Sequence, residues 1–144
     1  DTKALAALGA RFDLVFVGAP CSGTGTWRRR PDAKWRLKPA NLAQRIADQE
    51  ALLATAARHV KPGGRLVYVT CSVLPEENTE RIAAFLAGNA EFQATPWRPI
   101  RENAARGSES PAHLDSADES ERSLLLTPAR HGTDGFFVAV MKRR

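Results

Sequence analysis

The two cysteines of this chain, Cys21 and Cys71, are its strongest candidates for covalent chemistry. Each closely follows a short apolar run, residues 12–17 for the first and 66–70 for the second. Cysteines that only fill a core are expected inside strands, whereas these two follow the ends of predicted strands. A thiol becomes a useful nucleophile when nearby positive charge lowers its pKa. The residues therefore favour a thiol site, to be weighed against other kinds of site.

A basic segment follows Cys21 and could supply that charge. Between Trp27 and Arg45 the chain has only one acid, Asp32, and Trp35 lies among the basic residues. Those basic residues are Arg28, Arg29, Arg30, Lys34, Arg36, Lys38 and Arg45. Basic side chains interleaved with aromatic ones suit phosphate neutralisation and base stacking. A solvated basic surface over a packed tryptophan is an equally good interpretation of composition alone.

Other kinds of site fit the sequence less well. A zinc site needs about four ligands, yet there is no CxxC pair and the histidines (His59, His113 and His131) are scattered, so we predict no metal. A papain-like dyad needs a positioned histidine, and none of the three has a supporting motif. Residues 18–24 lack the lysine of a phosphate-binding loop. A disulfide is geometrically conceivable but disfavoured in a reducing compartment.

Composition sets the class of protein. The chain has 144 residues, a formal charge of +5 and 43% hydrophobic residues, enough for one core. No apolar run reaches the roughly 20 residues of a membrane span, and no signal-peptide pattern opens the chain. We expect a soluble cytoplasmic protein with reduced thiols and no membrane association. The sequence leaves the oligomeric state open.

Alternating strand and helix patterns must position the two cysteines. The nearly continuous apolar run at 12–17 predicts a strand buried on both faces. Residues 41–60 predict a helix ended by Lys-Pro-Gly-Gly at 61–64, and residues 66–70 predict a second strand. The helical stripe consists of Leu42, Ile46, Gln49, Leu53 and Val60.

The rest of the chain predicts one more helix and three short strands. The helix begins at residues 75–77, with Pro and two acids in its first turn, and ends at Gly88. Its inner face consists of Ile82, Phe85 and Leu86. Strands are predicted at 92–95, 124–127 and 136–141, the last two as a closing pair. Residues 101–122 predict a polar, mobile loop.

Together these elements predict an α/β fold with parallel strands and a closing antiparallel pair. If the helix at 41–60 crosses between neighbouring parallel strands, both cysteines reach one edge of the sheet. Ligand crevices of open α/β sheets lie at that edge. Five further residues should converge there, namely Pro20, Ser22, Thr24, Thr70 and Ser72. With only two parallel strands and no glycine-rich turn before residue 12, the chain is expected to be the second half of a larger sheet domain.

Two motifs in this order resemble the RNA cytosine-C5 methyltransferases of the Sun/Nop type, whose bacterial members modify small-subunit ribosomal RNA. The first is APCSGTG at 19–25, followed by RRRPDAKW at 28–35. The second is KPGGRLVYVTCSVLPEENTERIAAFL at 61–86, and the terminal TDGFFVAVMKRR at 133–144 also matches. The resemblance covers most of the chain apart from about residues 100–122. It implies a Rossmann-like, S-adenosylmethionine-dependent methyltransferase sheet.

The resemblance also implies roles for individual residues. Cys71 of the TCS motif would be the nucleophile that adds to cytosine C6, so that C5 accepts a methyl group from S-adenosylmethionine. Cys21 of the PCS motif would resolve the covalent adduct and release the product. Residues 18–20 (Gly18, Ala19 and Pro20) would bind the cofactor, with Gly18 at the family's aspartate position. Arg28, Arg29, Arg30 and Lys34 would hold phosphates of an RNA, ribosomal RNA by this resemblance.

The sequence departs from the family pattern in two respects. The residue before Ala19 is usually an aspartate that contacts cofactor and target base, and here it is Gly18. The glycine-rich cofactor loop and the acidic ribose partner are also missing, so residues 1–144 are interpreted as a C-terminal part of a catalytic domain, inactive alone. Two rival interpretations are a non-catalytic RNA-binding remnant of the family and a small thiol/disulfide α/β protein.

Overall fold

Five strands form one mixed sheet in residues 7–99, 115–118 and 120–144, the part of the chain that the computed structural model describes. The strands are β1 (Phe12–Gly18), β2 (Val60–Thr70), β3 (Phe92–Thr95), β4 (Ser123–Leu126) and β5 (Phe136–Arg143). Four helices lie wholly within the described residues, namely α1 (Ala33–Arg36), α2 (Pro39–Ala57), α3 (Thr79–Gly88) and α4 (Pro128–His131). Most of the predicted polar loop at 101–122 lies outside the described residues.

The sheet combines one parallel pair with antiparallel strands. β1 and β2 are parallel neighbours, with Val15 opposite Leu66 and Val17 opposite Tyr68. β5 runs antiparallel to β2 on its other side, and both β3 and β4 pair with β5. The predicted α/β class, with its parallel strands and closing antiparallel pair, is confirmed. β5 therefore begins at the edge where β1 and β2 end.

The core lies between one face of this sheet and helices α2 and α3. Because side chains alternate along a strand, the register places Val17, Tyr68 and Ala139 on the same face. Leu53 of α2 and Phe137 of β5 are almost fully buried against that face. The rings of Tyr68 and Phe137 meet edge to face with their centroids 6.3 Å apart. This layer holds the carboxyl ends of β1 and β2 in place.

The expectation that β1 is buried on both faces is wrong. Leu14 is 51% exposed and Phe16 is 64% exposed, whereas Val17 is buried. Leu14 and Phe16 alternate with the residues that face α2, so they lie on the opposite face of the sheet. In the described residues that face of β1 is open, because α2 and α3 both pack on the other one.

The predicted helix at 41–60 is too long at its C-terminal end. α2 ends at Ala57, and Val60 belongs to β2, where it is fully buried and pairs with Phe12. Residues 61–64 therefore continue a strand rather than end a helix. Gly64 lies where a Cβ would meet the carbonyl oxygen of Phe12 at 2.9 Å, so the close approach of β1 and β2 requires a glycine there.

The segment after β2 begins as predicted but with a different first turn. Residues Pro75–Glu77 form a 3₁₀ turn, and α3 starts at Thr79. Ile82 and Phe85 are buried as expected, and α3 ends at Gly88. None of the helices in the described ranges is long and apolar enough to cross a membrane.

Candidate active site

Cys21 and Cys71 lie side by side at the carboxyl edge of β1 and β2. Their Sγ atoms are 3.3 Å apart, and both cysteines are free and half-buried. Parallel neighbouring strands joined by α2 end at the same edge, so the residues that follow them meet. The prediction that the two thiols meet at one edge of the sheet is confirmed.

A hydrogen bond between the two thiols shifts their pKa values in opposite directions. Donation from the Cys21 thiol lowers the pKa of Cys71 to about 6, although burial of Cys71 opposes this shift. The same hydrogen bond, together with burial, raises the pKa of Cys21 far above its ordinary value. The hydrogen bond therefore favours the thiolate on Cys71 and the proton on Cys21. The main cause is the neighbouring thiol rather than the basic segment to which the sequence pointed.

Glu77 is a buried carboxylate that ties the loop after β1 to the segment after β2. Its exposed fraction is 0%. Its oxygens accept hydrogen bonds from the backbone N–H of Ser22 at 2.8 Å and from the Ser22 hydroxyl at 2.5 Å. Gln49 of α2 donates both to Glu77 at 3.2 Å and to the Pro20 carbonyl at 2.9 Å. These bonds offset the cost of burying a charge and fix the backbone on both sides of Cys21.

Hydroxyl groups of the two cysteine loops complete the contact between them. The hydroxyl of Ser72 lies 3.0 Å from that of Thr24 and 3.4 Å from that of Ser22. The Thr24 hydroxyl also accepts a hydrogen bond from the backbone N–H of Val73 at 3.0 Å. The convergence predicted for the serine and threonine residues near the cysteines is confirmed.

Asn78 anchors the Cys71 loop from the other side. Its carboxamide accepts from the Thr70 hydroxyl at 2.7 Å and donates to the Ser72 carbonyl at 2.9 Å. The Tyr68 hydroxyl donates to the Glu77 carbonyl at 2.8 Å, one residue before Asn78. Residues 77 and 78 thus hold the backbone around Cys71 to the end of β2.

Gly25 and Gly135 make a close backbone contact, called here the glycine crossing. This contact holds the loop before β5 at the same edge of the sheet. Gly25 donates its N–H to the Cys71 carbonyl at 2.9 Å and accepts a hydrogen bond from Gly135 at 2.8 Å. A Cβ on Gly25 would lie 2.3 Å from the Gly135 carbonyl oxygen, and one on Gly135 would lie 2.6 Å from a methyl carbon of Val73. Three loops therefore touch through their backbones, which requires glycine at both positions.

The predicted RNA-binding residues divide into two groups. Arg28 donates to the Gly132 carbonyl at 2.9 Å, and Arg29 forms a 2.6 Å ion pair with Asp134. Arg30 is exposed, and so is Lys34, whose ammonium lies 4.6 Å from the ring centre of Trp35. Two of the four cations thus help to hold the loop before β5, while their RNA-binding role stays a prediction.

The residues predicted to bind the cofactor contribute backbone groups and open space. Gly18 is exposed, and a Cβ there would have one neighbour, a ring carbon of Phe16 at 3.8 Å. Ala19 is buried and donates its N–H to the Val69 carbonyl at 2.9 Å. The Pro20 carbonyl is occupied by Gln49. Residues 18–20 thus leave room for a ligand and offer it no polar side chain.

Sequence reasoning missed Glu77 and Gln49 as parts of the site. The sequence places Glu77 in a helix first turn and Gln49 on an apolar stripe, and neither position predicts a part in the site. The signal was present for Gln49, because a polar residue on a buried stripe must find hydrogen-bond partners. For Glu77 the sequence carries no comparable signal, since acids are common at helix starts.

Comparisons with known proteins agree with this geometry. The family model described as 16S rRNA methyltransferase RsmB/F matches residues 1–142. Ribosomal RNA small subunit methyltransferase B of Klebsiella pneumoniae (strain 342) is 46% identical over 97 residues, which are 65% of this chain and 22% of that protein. The chain thus spans about a fifth of the length of that curated relative.

Solved structures share the fold. The crystal structure of PH0851 has a TM-score of 0.78 and 35% identity, covering 94% of this chain and 27% of that one. A methyltransferase homolog protein from Pyrococcus horikoshii has a TM-score of 0.71 and 27% identity, covering 100% of this chain and 43% of that one. The sheet of this chain is therefore that of a methyltransferase domain.

The thiol hydrogen bond predicts how alkylation depends on pH. Only a thiolate reacts, so iodoacetamide should modify Cys71 with a midpoint near pH 6, and should spare Cys21 until the solution is strongly alkaline. Cys21→Ala removes the donor and should move the midpoint up toward the ordinary thiol value of roughly 8.5. Cys21→Ser keeps a hydrogen-bond donor and should shift the midpoint of Cys71 alkylation less than Cys21→Ala does. Peptide mass spectrometry gives the rates, and an unchanged midpoint in Cys21→Ala would contradict the assignment.

The glycine crossing predicts a steric effect on stability. Gly25→Ala forces its methyl group against the Gly135 carbonyl, and should lower the free energy of unfolding by about 1–3 kcal/mol. Gly88→Ala is the matched control, because a Cβ there meets nothing within 4 Å, and should be neutral or slightly stabilising. Urea denaturation measures both. Equal stability of the two variants would mean that the loops can separate freely.

Proposed function

Since the chain belongs to the 16S rRNA methyltransferase RsmB/F family, we propose that it carries the thiols of a methyltransferase acting on cytosine C5 in RNA, with small-subunit ribosomal RNA as substrate. The observation that supports this most directly is the thiol pair at the sheet edge, 3.3 Å apart, with the lowered pKa on Cys71. Cytosine C5 is a weak nucleophile until a group adds to C6. A thiolate beside a protonated thiol provides both the group that adds and a second proton-carrying group.

Attack by Cys71 is the first step of the proposed mechanism. A lone pair of its thiolate sulfur forms a bond to cytosine C6, and the electron pair of the C5–C6 double bond moves onto C5 and into the ring. S-adenosylmethionine, when bound, supplies the electrophilic methyl group that C5 then takes. The lowered pKa of Cys71 keeps the attacking sulfur ionised at neutral pH.

Release of the product is assigned to Cys21. Once the Cys71 sulfur is bonded to carbon, it no longer accepts the hydrogen bond that keeps Cys21 protonated, so the Cys21 proton can pass to solvent. The resulting Cys21 thiolate takes the proton from C5. The C5–H electron pair restores the C5–C6 double bond, and Cys71 leaves with the electrons of the S–C6 bond. The 3.3 Å separation lets both sulfurs reach the same cytosine ring.

Residues 18–20 fit S-adenosylmethionine only as a border of its site. They offer open space at Gly18 and no polar side chain, and their backbone groups at Ala19 and Pro20 already have partners. Ribose and amino groups of such a ligand need hydrogen-bond partners from elsewhere. We therefore infer that this stretch borders the cofactor without holding it.

Contact with RNA is assigned first to Arg30 and Lys34. Both side chains are exposed, and Lys34 lies beside the 78% exposed ring of Trp35, so a phosphate and a stacked base could be met together. Arg28 and Arg29 keep a supporting role through Gly132 and Asp134. The target cytosine must be unstacked to reach the thiols.

A second candidate function is RNA binding without catalysis, as in a remnant of the family. Gly18 favours it, because the carboxylate that this family places before Ala19 is missing. Retention of both cysteines in one hydrogen-bonded pair favours catalysis. The first prediction that follows tests the roles of the two cysteines, and the second, at position 18, separates these candidates.

The two cysteines should give different trapping behaviour in the complete gene product, carrying Gly18→Asp as background. Cys71→Ala should abolish methyl transfer and any covalent RNA adduct, because no thiolate remains to attack. Cys21→Ala should attack more slowly but remain bound to RNA, because elimination is impaired. A denaturing gel would show the adduct as a slow band that ribonuclease removes. Trapping by Cys71→Ala alone would mean that the roles are reversed.

The Gly18 position predicts a gain of function. Gly18→Asp should fold normally, since its Cβ has room, and should raise the affinity for S-adenosylmethionine by roughly tenfold through a charged hydrogen bond. Gly18→Ala adds the same Cβ without the carboxylate and should change nothing. Titration calorimetry of the complete gene product compares the three. If neither variant binds the cofactor, the non-catalytic candidate is favoured.

A further inference from the structure

A cleft opens beside Cys21, between α1 and the first turns of α2. Its volume is about 280 Å³. Cys21 forms part of its wall, and the other lining residues that matter here are Arg36, Leu37, Asn41, Gln44 and Arg45. Four of these six are cations or carboxamides, and neither the cysteine motifs nor the proposed chemistry uses them.

The lining residues have the chemistry of a nucleotide site. A guanidinium presents paired N–H donors that match phosphate oxygens, and Arg36 and Arg45 supply two of them. A carboxamide offers a donor and an acceptor together, which matches the edge of a base, and Asn41 and Gln44 supply two of these. Leu37 offers an apolar surface for the face of a base. The cleft thus offers a partner for the phosphate, for the edge of the base and for the face of the base of one nucleotide.

The polar groups of the cleft are available to a ligand. Arg45 lies 3.4 Å from Asp48, and Arg36 pairs with Asp32, and all four of these side chains are substantially exposed. Exposed ion pairs contribute little free energy, so an RNA phosphate can compete for both guanidiniums. Gln44 donates one amide hydrogen to Asp48 at 2.9 Å, and Asn41 donates one to the Arg36 carbonyl at 3.2 Å. Each carboxamide keeps its second hydrogen and its carbonyl oxygen for a ligand.

The size and position of the cleft limit what it can hold. About 280 Å³ is close to the ~300 Å³ at which pockets for drug-sized ligands begin, which is the scale of one nucleotide. Because the Cys21 Sγ is 3.3 Å from that of Cys71, a group in the cleft would neighbour the base that Cys71 attacks.

We propose that this cleft binds the nucleotide next to the target cytosine in the RNA strand. Arg36 and Arg45 hold its phosphate, and Asn41 and Gln44 read the edge of its base. The inference rests on the proposed function, and it makes residues 41 and 44 determinants of the sequence context in which a cytosine is modified.

The test uses the complete gene product and single-stranded RNAs in which the bases on either side of one cytosine are randomised. Bisulfite sequencing after methyl transfer gives the preference at each flanking position. The parent should prefer certain bases at one of the two positions, and the double variant Asn41→Ala/Gln44→Ala should reduce that preference by about tenfold. Arg45→Ala should raise KM for every RNA by about tenfold with kcat nearly unchanged, because phosphate binding is independent of sequence.

Arg58→Ala is the matched control, since Arg58 is exposed and caps the far end of α2. It should leave KM and the flanking preference unchanged. Methyl transfer that shows no flanking preference in the parent, or the same preference in the double variant, would overturn the base-reading role while leaving the proposed function intact. If the parent transfers no methyl group, the proposed function fails. RNA affinity, measured by fluorescence anisotropy, then tests whether the cleft binds RNA. Equal RNA affinities of the Arg45→Ala and Arg58→Ala variants would then overturn the proposal that the cleft binds RNA.

Discussion

The buried hydrogen bonds between Glu77 and Ser22 are the interaction on which the site depends. The two residues are 55 positions apart in sequence, and the carboxylate accepts from both the N–H and the hydroxyl of Ser22. Removing a carboxylate from water costs several kcal/mol unless donors replace the lost hydration. The loop after β1 therefore has one favourable position, against the segment after β2. Cys21, which precedes Ser22, is held beside Cys71 as a consequence.

The sheet and the crossover helix make that interaction possible. Parallel pairing of β1 and β2 brings their carboxyl ends together, and α2 packs on the sheet so that Gln49 reaches both Glu77 and Pro20. The Gly25–Gly135 crossing adds the loop before β5 to the same cluster. The acidity of Cys71 is then a property of the tertiary structure, because its main cause is a hydrogen bond from a residue 50 positions away.

The basic segment after Cys21 serves several purposes. Arg28 and Arg29 turn toward Gly132 and Asp134 and brace the loop before β5. Arg36 and Arg45 line the cleft beside Cys21, where two carboxamides accompany them. A run of like charges thus becomes two groups with different neighbours. The turn at residues 31–32 and the short helix α1 follow Arg29 in the chain and so separate the first group from the second.

Local pattern was sufficient for the order of the strands and the two long helices, and for the meeting of the cysteines, but it did not predict the short helices α1 and α4. Apolar runs, a helical stripe and strand-end cysteines predicted the parallel pair, the closing strands and a shared crevice, because periodicity reports which face of an element is buried. The same patterns misplaced the end of α2 and the burial of β1. Val60 satisfies helical and strand periodicity alike, and the exposure of Leu14 and Phe16 depends on which elements cover that face.

Only the tertiary structure decided which polar residues act together. Glu77 has the sequence context of an ordinary acid in a helix first turn, and its burial follows from the packing of α2 and α3 on the sheet. Distances between segments far apart in the chain likewise decide which thiol, Cys21 or Cys71, is the more acidic. They also decide the partners of Arg28 and Arg29. Hydrogen bonds and charges act over a few ångströms in space, and sequence spacing does not encode those distances.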